Sequence, residues 1–115
     1  MHEATIIRDV VHVVTQRLAE EGLSGRVRAV RLRIGRLAAA VPENLRLLFR
    51  VLTEDTPLEG AVLEIEEVNV RMRCRSCGAE YVVDDGDFGC RSCRSSDAEL
   101  TEGREMIIDS LEVDP

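Results

Sequence analysis

The sequence predicts an α+β fold, in which a small α/β domain of two helices on a three-stranded sheet carries an inserted module with four cysteines. Three observations support this prediction. Two segments have apolar residues at helical spacing, three have strand-like apolar patterns, and two Cys-x2-Cys pairs lie between the second and third of these strands. The length of 115 residues fits one small domain with one appendage.

The first half of the chain reads as helix, strand, helix. The first helix has an apolar stripe formed by Ile7, Val10, Val11, Val14 and Leu18. The segment from Arg26 to Ile34 then alternates, which indicates a strand with Arg31 and Arg33 on a face that is solvated or meets an acidic partner. Pro42 suits the first turn of a second helix. The stripe of that helix consists of Leu45, Leu48, Phe49 and Leu52.

The second half contains two further strand-like segments. In the first, apolar residues change face between Ile65 and Val68, so we expect a β-bulge at Glu66-Glu67. The last segment, 104–113, is apolar on both faces, which predicts a buried central strand. We therefore expect residues 1–70, completed by the strand in 104–115, to form one domain and residues 71–103 to form the inserted module.

The inserted module is defined by Cys74-x2-Cys77 and Cys90-x2-Cys93. Two such turns provide the tetrahedral set of sulfur ligands that suits Zn²⁺. Both turns read Cys-Arg-Ser-Cys, and Gly78 after the first can take the positive φ that directs N–H groups toward the sulfurs. Because four thiolates leave no open position for a zinc-bound water, we expect a structural zinc that takes part in no catalysis.

Disulfides, a rubredoxin-like iron site and a nucleic-acid-binding ribbon are the competing interpretations of the cysteine pairs. The opening Met1-His2-Glu3 has no basic and apolar leader, and no apolar run could cross a membrane, so we expect a cytoplasmic chain with reduced thiols. Rubredoxin-like sites usually have a longer spacer with aromatic shielding. A formal charge of −7 opposes phosphate binding. We expect Tyr81 and Phe88 to fill the small core of the module.

The first residues offer a second set of metal ligands. The α-amino group of Met1, the backbone nitrogen of His2 and its imidazole can bind one metal through successive chelate rings, and the amide nitrogen of Glu3 can complete a plane. Such a planar nitrogen set favours Ni(II) or Cu(II). On this feature alone, an exposed histidine at a frayed terminus is the commoner interpretation. His12 is expected to face solvent without a role.

Together these residues resemble the HypA/HybF family of hydrogenase maturation nickel metallochaperones, over nearly the whole chain. The matching segments are Met1-His2-Glu3, Ile34-Gly35, Pro42-Glu43, Thr56-Pro57-Leu58-Glu59-Gly60-Ala61, Leu63-Glu64-Ile65-Glu66, the two cysteine pairs, Gly103-Arg104-Glu105-Met106 and Ser110-Leu111-Glu112. The cysteine pattern occurs in many zinc ribbons. Its combination with Met-His-Glu at the start and this chain length is specific.

The resemblance implies a nickel-binding α/β domain, a separate zinc domain and a protein that is not an enzyme. It implies that His2 is the essential nickel ligand, aided by the Met1 amine and the backbone of Met1-His2-Glu3. The zinc ligands it implies are Cys74, Cys77, Cys90 and Cys93. Ni(II) would be cargo for the large-subunit precursor of [NiFe]-hydrogenase, with a HypB-type GTPase as partner, and some family members also supply urease. We expect no nucleic-acid or membrane partner, and a monomer or weak dimer.

Two positions depart from the family pattern. Many relatives have Glu after the Ile-Gly pair, where this chain has Arg36, and some have an acidic residue near position 41, where this chain has Val41. These changes concern the outer part of the nickel site and leave His2 in place. An acidic zinc-ribbon adaptor that binds only protein partners is the alternative function, and such a protein would take up zinc but no nickel.

Overall fold

The computed structural model describes residues 2–114, with the backbone alone for His2. This part of the chain contains two α-helices and six β-strands. In chain order they are α1 (His2–Glu20), β1 (Val27–Gly35), α2 (Pro42–Leu52), β2 (Val62–Val68), β3 (Val70–Cys74), β4 (Glu80–Val83), β5 (Ala98–Glu102) and β6 (Met106–Val113). A 3-10 turn at Arg36–Ala38 follows β1. No helix within these residues is both long and apolar enough to span a bilayer.

The strands form two three-stranded sheets, with the orders β2-β1-β6 and β4-β3-β5. Contacts between Cα atoms divide the chain into two compact units. The first comprises the residues up to Leu32, Ala40–Ile65 and the residues from Ile108 on, and it contains both helices. The second comprises Arg33–Ala39 and Glu66–Ile107, and it contains all four cysteines. The predicted α+β class is confirmed.

The core of the first unit is built from the predicted helical stripes. Its buried helical side chains are Ile7, Val10, Val14, Leu18, Leu45 and Phe49. Leu58, in the loop before β2, is also fully buried. The N–H of Val27 donates to the carbonyl of Pro57 at 3.0 Å, which ties this loop to the start of β1. His12 is exposed, as predicted.

The prediction that the C-terminal strand is central is wrong. β6 is an outer strand, and β1 lies between β2 and β6. The arginines of β1 do not require an open face, because carboxylates of both neighbouring strands neutralise them. The Nε of Arg31 donates to Glu64 of β2 at 2.5 Å, and the Arg31 guanidinium lies 3.7 Å from Glu112 of β6. Opposite charges paired across strands stabilise a sheet, each by a fraction of a kcal/mol.

In the segment that forms β2 and β3, the buried side chains change from odd to even positions where the sequence predicts it. Leu63 is buried at an odd position, whereas Val68 and Val70 are buried at even positions, and Glu66-Glu67 between them is exposed. β2 runs through Glu66-Glu67 to Val68, and β3 begins after Asn69, so the bulge at Glu66-Glu67 stays a prediction. The apolar side chains from Val70 onward contribute to a separate cluster around the cysteines.

Candidate metal centre

Two matching turns hold the four cysteine sulfurs in one cluster. Cys74 ends β3, Cys77 follows in the next turn, and Cys90 and Cys93 lie between β4 and β5. All four Sγ atoms lie within 4.8 Å of one another, with Cys74 to Cys93 at 3.5 Å and Cys77 to Cys90 at 3.6 Å. A tetrahedron with Zn–S bonds of about 2.3 Å has sulfur–sulfur edges of roughly 3.8 Å. The cluster therefore has nearly the size that one zinc ion requires.

The two Cys-Arg-Ser-Cys turns have the same backbone geometry. The N–H of Gly78 donates to the carbonyl of Cys74 at 2.9 Å, and the N–H of Arg94 donates to the carbonyl of Cys90 at 3.0 Å. Gly78 has a φ of 78° and Arg94 a φ of 65°, so both occupy the left-handed region. The repeated sequence is thus a repeated structure, with glycine in one copy and a strained arginine in the other.

Backbone N–H groups favour the thiolate form of the two buried cysteines. The N–H of Cys77 donates to the Sγ of Cys74 at 3.5 Å, and the N–H of Ser92 donates to the Sγ of Cys90 at 3.4 Å. Hydrogen bonds from Cys93 and then Ser92 lower the pKa of Cys90 to about 6, although burial opposes them. The N–H of Cys77 likewise lowers the pKa of Cys74. Thiolate is the form that binds metal.

The remaining thiols cannot all ionise in the absence of a cation. The N–H of Ser95 favours the Cys93 thiolate, but the side chains of Cys74, Cys77 and Cys90 outweigh it and raise the pKa of Cys93 to about 12. Because the neighbouring sulfurs raise its pKa, the Cys93 thiol keeps its proton while no metal is bound. Because metal binding releases such protons, a thiophilic divalent ion is the partner that this donor set fits. All four cysteines are free thiols, so the structure contains no disulfide between them.

Only one of the two aromatic residues of the module contributes to its core. Tyr81 is buried, and its hydroxyl donates to the carbonyl of Phe88 at 2.7 Å. The Phe88 ring is exposed, so the prediction that it fills the core is wrong. Phe88 contacts the core of the module through its backbone carbonyl and not through its ring. Arg91 holds this loop by donating to the carbonyls of Asp87 and Gly89, and its guanidinium lies 5.5 Å from the centroid of the Tyr81 ring.

Two of the predicted nickel-binding residues, His2 and Glu3, belong to the first turn of α1. Met1 and the side chain of His2 are outside the described residues, so their coordination stays a prediction. The carboxylate of Glu3 accepts a hydrogen bond from the N–H of Val41 at 2.7 Å and one from Asn44 Nδ2 at 3.3 Å. Val41 is the N-cap residue of α2 and provides no side-chain cap. Glu3 therefore caps α2 from the first turn of α1, a role that our sequence analysis missed.

Two of the family-like segments, Ile34-Gly35 and Gly103 to Met106, contact each other. The N–H of Gly35 donates to the carbonyl of Glu105 at 2.7 Å. A Cβ added to Gly35 would overlap the carbonyl oxygen of Gly103. Gly103 itself has a φ of 113°, and a Cβ there would lie 2.6 Å from the Cα of Val70. Both glycines are thus required by close backbone packing.

The fold and the sulfur cluster define a small α+β protein with a four-cysteine site suited to a metal ion such as zinc. A family model described as hydrogenase/urease nickel incorporation, metallochaperone, HypA matches residues 1–113. The chain belongs to this HypA family. Members of the family are metallochaperones for hydrogenase maturation, and the protein is accordingly a maturation factor and not an enzyme.

Individual relatives agree with this assignment. The chain is 39% identical over 113 residues to the hydrogenase maturation factor HypA of Desulfosudis oleivorans, covering 98% of both chains. It is 39% identical over 114 residues to that of Nostoc punctiforme, covering 99% of this chain and 96% of the relative.

Solved structures show the same fold. The solution structure of the Ni metallochaperone HypA from Helicobacter pylori matches with a TM-score of 0.69 and 23% identity, over 98% of this chain and 97% of that one. A second solution structure, of a HypA protein, matches with a TM-score of 0.71 and 22% identity, over 98% of this chain and 96% of that one. At these identities the likeness establishes the fold alone.

Proposed function

We propose that this protein binds Ni(II) through its N-terminal residues and delivers it to the large-subunit precursor of [NiFe]-hydrogenase. The observation that carries the proposal is the family match over residues 1–113, which includes Met1-His2-Glu3. His2 is the essential ligand, and the Met1 amine and the backbone of Met1-His2-Glu3 complete a nitrogen set suited to Ni(II). Because the Glu3 carboxylate caps α2, we propose that Glu3 contributes its backbone nitrogen, and not its side chain, to the nickel site.

Partners and a compartment are proposed on the basis of the same family resemblance. A HypB-type GTPase is the proposed partner in nickel delivery, and urease is a second client that family members supply. The proposed place of action is the cytoplasm, where the thiols stay reduced.

The zinc is proposed to be structural, with Cys74, Cys77, Cys90 and Cys93 as its ligands. The close approach of the four Sγ atoms and the two matching turns support this proposal. A closed set of four thiolates leaves no position for a reacting water. The metal would add folding free energy to a unit that has only a small apolar cluster.

The nickel proposal is tested by comparing Ni(II) binding to untagged wild type, His2→Ala and His12→Ala. His12 is the other histidine of the chain and is exposed on α1, so His12→Ala is a matched control. Mutation of a residue that contacts a metal ligand, but not the metal, costs about 10- to 100-fold in metal affinity. Because His2 is the proposed ligand itself, we expect His2→Ala to lose roughly 100-fold or more in nickel affinity. Zinc content should be equal in all three proteins. Equal nickel affinity would contradict the proposal and favour the acidic zinc-ribbon adaptor.

The α-amino group can be tested separately, because the chain contains no lysine: its 15 basic residues are all arginines. Acetylation with an amine-specific reagent would therefore modify Met1 alone. The resulting amide is much harder to deprotonate, so nickel binding should weaken while zinc stays bound. Affinity of the unmodified protein should also fall as pH is lowered through roughly 8 to 6, since protons compete for the amine and the imidazole. Full nickel affinity after acetylation would exclude the amine as a ligand.

A further inference from the structure

A groove of about 460 Å³ lies in the first unit, between the outer side of α2 and the start of β2. We call it the α2–β2 groove. Arg46, Leu47 and Arg50 line it from the helix, and Gly60–Leu63 lines it from the strand side. Its lining also includes the buried ring of Phe49. The groove thus combines an apolar base with two cationic side chains.

The groove coincides with the most exposed large apolar side chains among residues 2–114. Val62 is 58% exposed, and Leu47 and Val51 are each 53% exposed. Val62 and Leu47 line the groove, and Val51 follows one turn after Leu47 on α2. A single exposed leucine is ordinary, but three such residues beside one groove are typical of a protein-binding surface.

The charge of the groove is opposite to that of the whole chain. The formal net charge is −7, and nine arginines form ion pairs with carboxylates within residues 2–114. Arg46 and Arg50 form none within that same part of the chain. They are four residues apart on α2, so their guanidinium groups project from one side of the helix. One carboxylate, that of Glu43, also lines the groove.

The strand side of the groove is an open sheet edge. In the order β2-β1-β6, β2 is an outer strand that pairs with β1 alone among the described residues. Outer strands present backbone N–H and C=O groups that an extended chain can bind as an added strand. A segment added along the start of β2 would run past Arg46 and Arg50.

We infer that the α2–β2 groove binds an extended acidic segment of a partner protein, which adds to β2 as a fourth strand. Carboxylates of the segment pair with Arg46 and Arg50, and apolar residues on the opposite face of the segment cover Val62. Because side chains alternate along a strand, a sequence that alternates acidic and apolar residues suits this geometry. The inference rests on the groove alone and does not require nickel binding.

The test uses a fluorescein-labelled eight-residue peptide of alternating Glu and Val, with fluorescence anisotropy as the measurement. We compare wild type with the double variant Arg46→Gln/Arg50→Gln. The matched control is Arg8→Gln/Arg104→Gln, which removes two exposed charges that have no ion pair in residues 2–114. We expect the groove variant to bind about tenfold more weakly or worse, and the control to bind like wild type. The same peptide with Gln in place of Glu should also bind more weakly.

Amide chemical shifts of wild type should change on peptide addition in β2 and α2. Three results would overturn the inference. These are no binding to wild type, equal binding to both double variants, and equal binding of the Glu and Gln peptides. Self-association that the groove variant abolishes, without peptide binding, would show that a second copy fills the groove and would also overturn it. Circular dichroism melting of each variant controls for folding.

Discussion

Gly78 and Arg94 meet one backbone requirement with two different residues. Each follows the second cysteine of its turn, and each closes the turn through its N–H while holding a positive φ. Glycine adopts this conformation without steric cost, whereas a residue with a Cβ is strained by about 1 kcal/mol. The two turns are therefore equal in geometry but unequal in stability.

We expect Gly78→Ala to destabilise the zinc-loaded protein by about 1 kcal/mol, and Arg94→Gly to stabilise it by a few tenths to about 1 kcal/mol. A Cβ built on Gly78 has no atom within 4 Å, so the first effect comes from the strained backbone and not from a steric clash. Urea unfolding of the two variants beside wild type measures both. Effects of the opposite sign would refute the strain argument.

At this scale the sequence revealed the four cysteines, their repeat and the role of Gly78. It did not reveal that Arg94 is in the left-handed region, because such an arginine looks like any exposed arginine in the sequence. The capping of α2 by Glu3 was also hidden, since the two partners are 38 residues apart. The one available signal was the absence of a polar capping residue at Val41, before Pro42.

For whole elements, periodicity predicted both helices and three strand-like segments, but it predicted neither β4 and β5 nor the order of the strands in the sheets. An apolar pattern shows which faces of a strand are covered, and says nothing about how many neighbours the strand has. For this reason the apolar residues on both faces of β6 wrongly predict a central strand, and β1 holds that place instead. The ion pairs of Arg31 with Glu64 and Glu112 fit the central place of β1, and they depend on pairing across strands that no local pattern records.

The end of β1 offers a test of the close backbone packing. Gly35→Ala would force a Cβ against the carbonyl of Gly103, so we expect a loss of about 1–3 kcal/mol in the free energy of unfolding. Gly89→Ala is the matched control, because the nearest atom to its Cβ is Asp87 Oδ1 at 3.3 Å. Chemical unfolding compares the two variants. Equal, small losses would mean that the segments separate easily.

Across the whole molecule, the two compact units are stabilised by different means. The first has an aliphatic core that both helices supply. The second has a small cluster that includes Val70, Tyr81 and Val83 together with Cys74 and Cys90, so its core overlaps with the proposed zinc ligands. Loss of the metal should therefore affect the two units unequally.

We expect Cys77→Ala, or removal of zinc by a chelator, to unfold residues 71–103 and to leave the helices largely intact. A structural zinc contributes on the order of 10 kcal/mol of folding free energy, which a core of this size cannot replace. Hydrogen exchange measured residue by residue would locate the unfolded segment and test the boundaries near 70 and 103. Ser96→Ala, an exposed change in the same module, is the control. Helices that unfold together with the module would contradict the prediction.

The central claim is that one chain holds two metals on two chemically different sites. X-ray absorption at the zinc and nickel K edges of one untagged sample, loaded with one equivalent of each metal, tests it most directly. The zinc edge should show four sulfur neighbours at about 2.3 Å, and the nickel edge should show nitrogen and oxygen neighbours alone. Sulfur neighbours at the nickel edge would mean that nickel enters the cysteine cluster, and would contradict the assignment of nickel to the N-terminal residues.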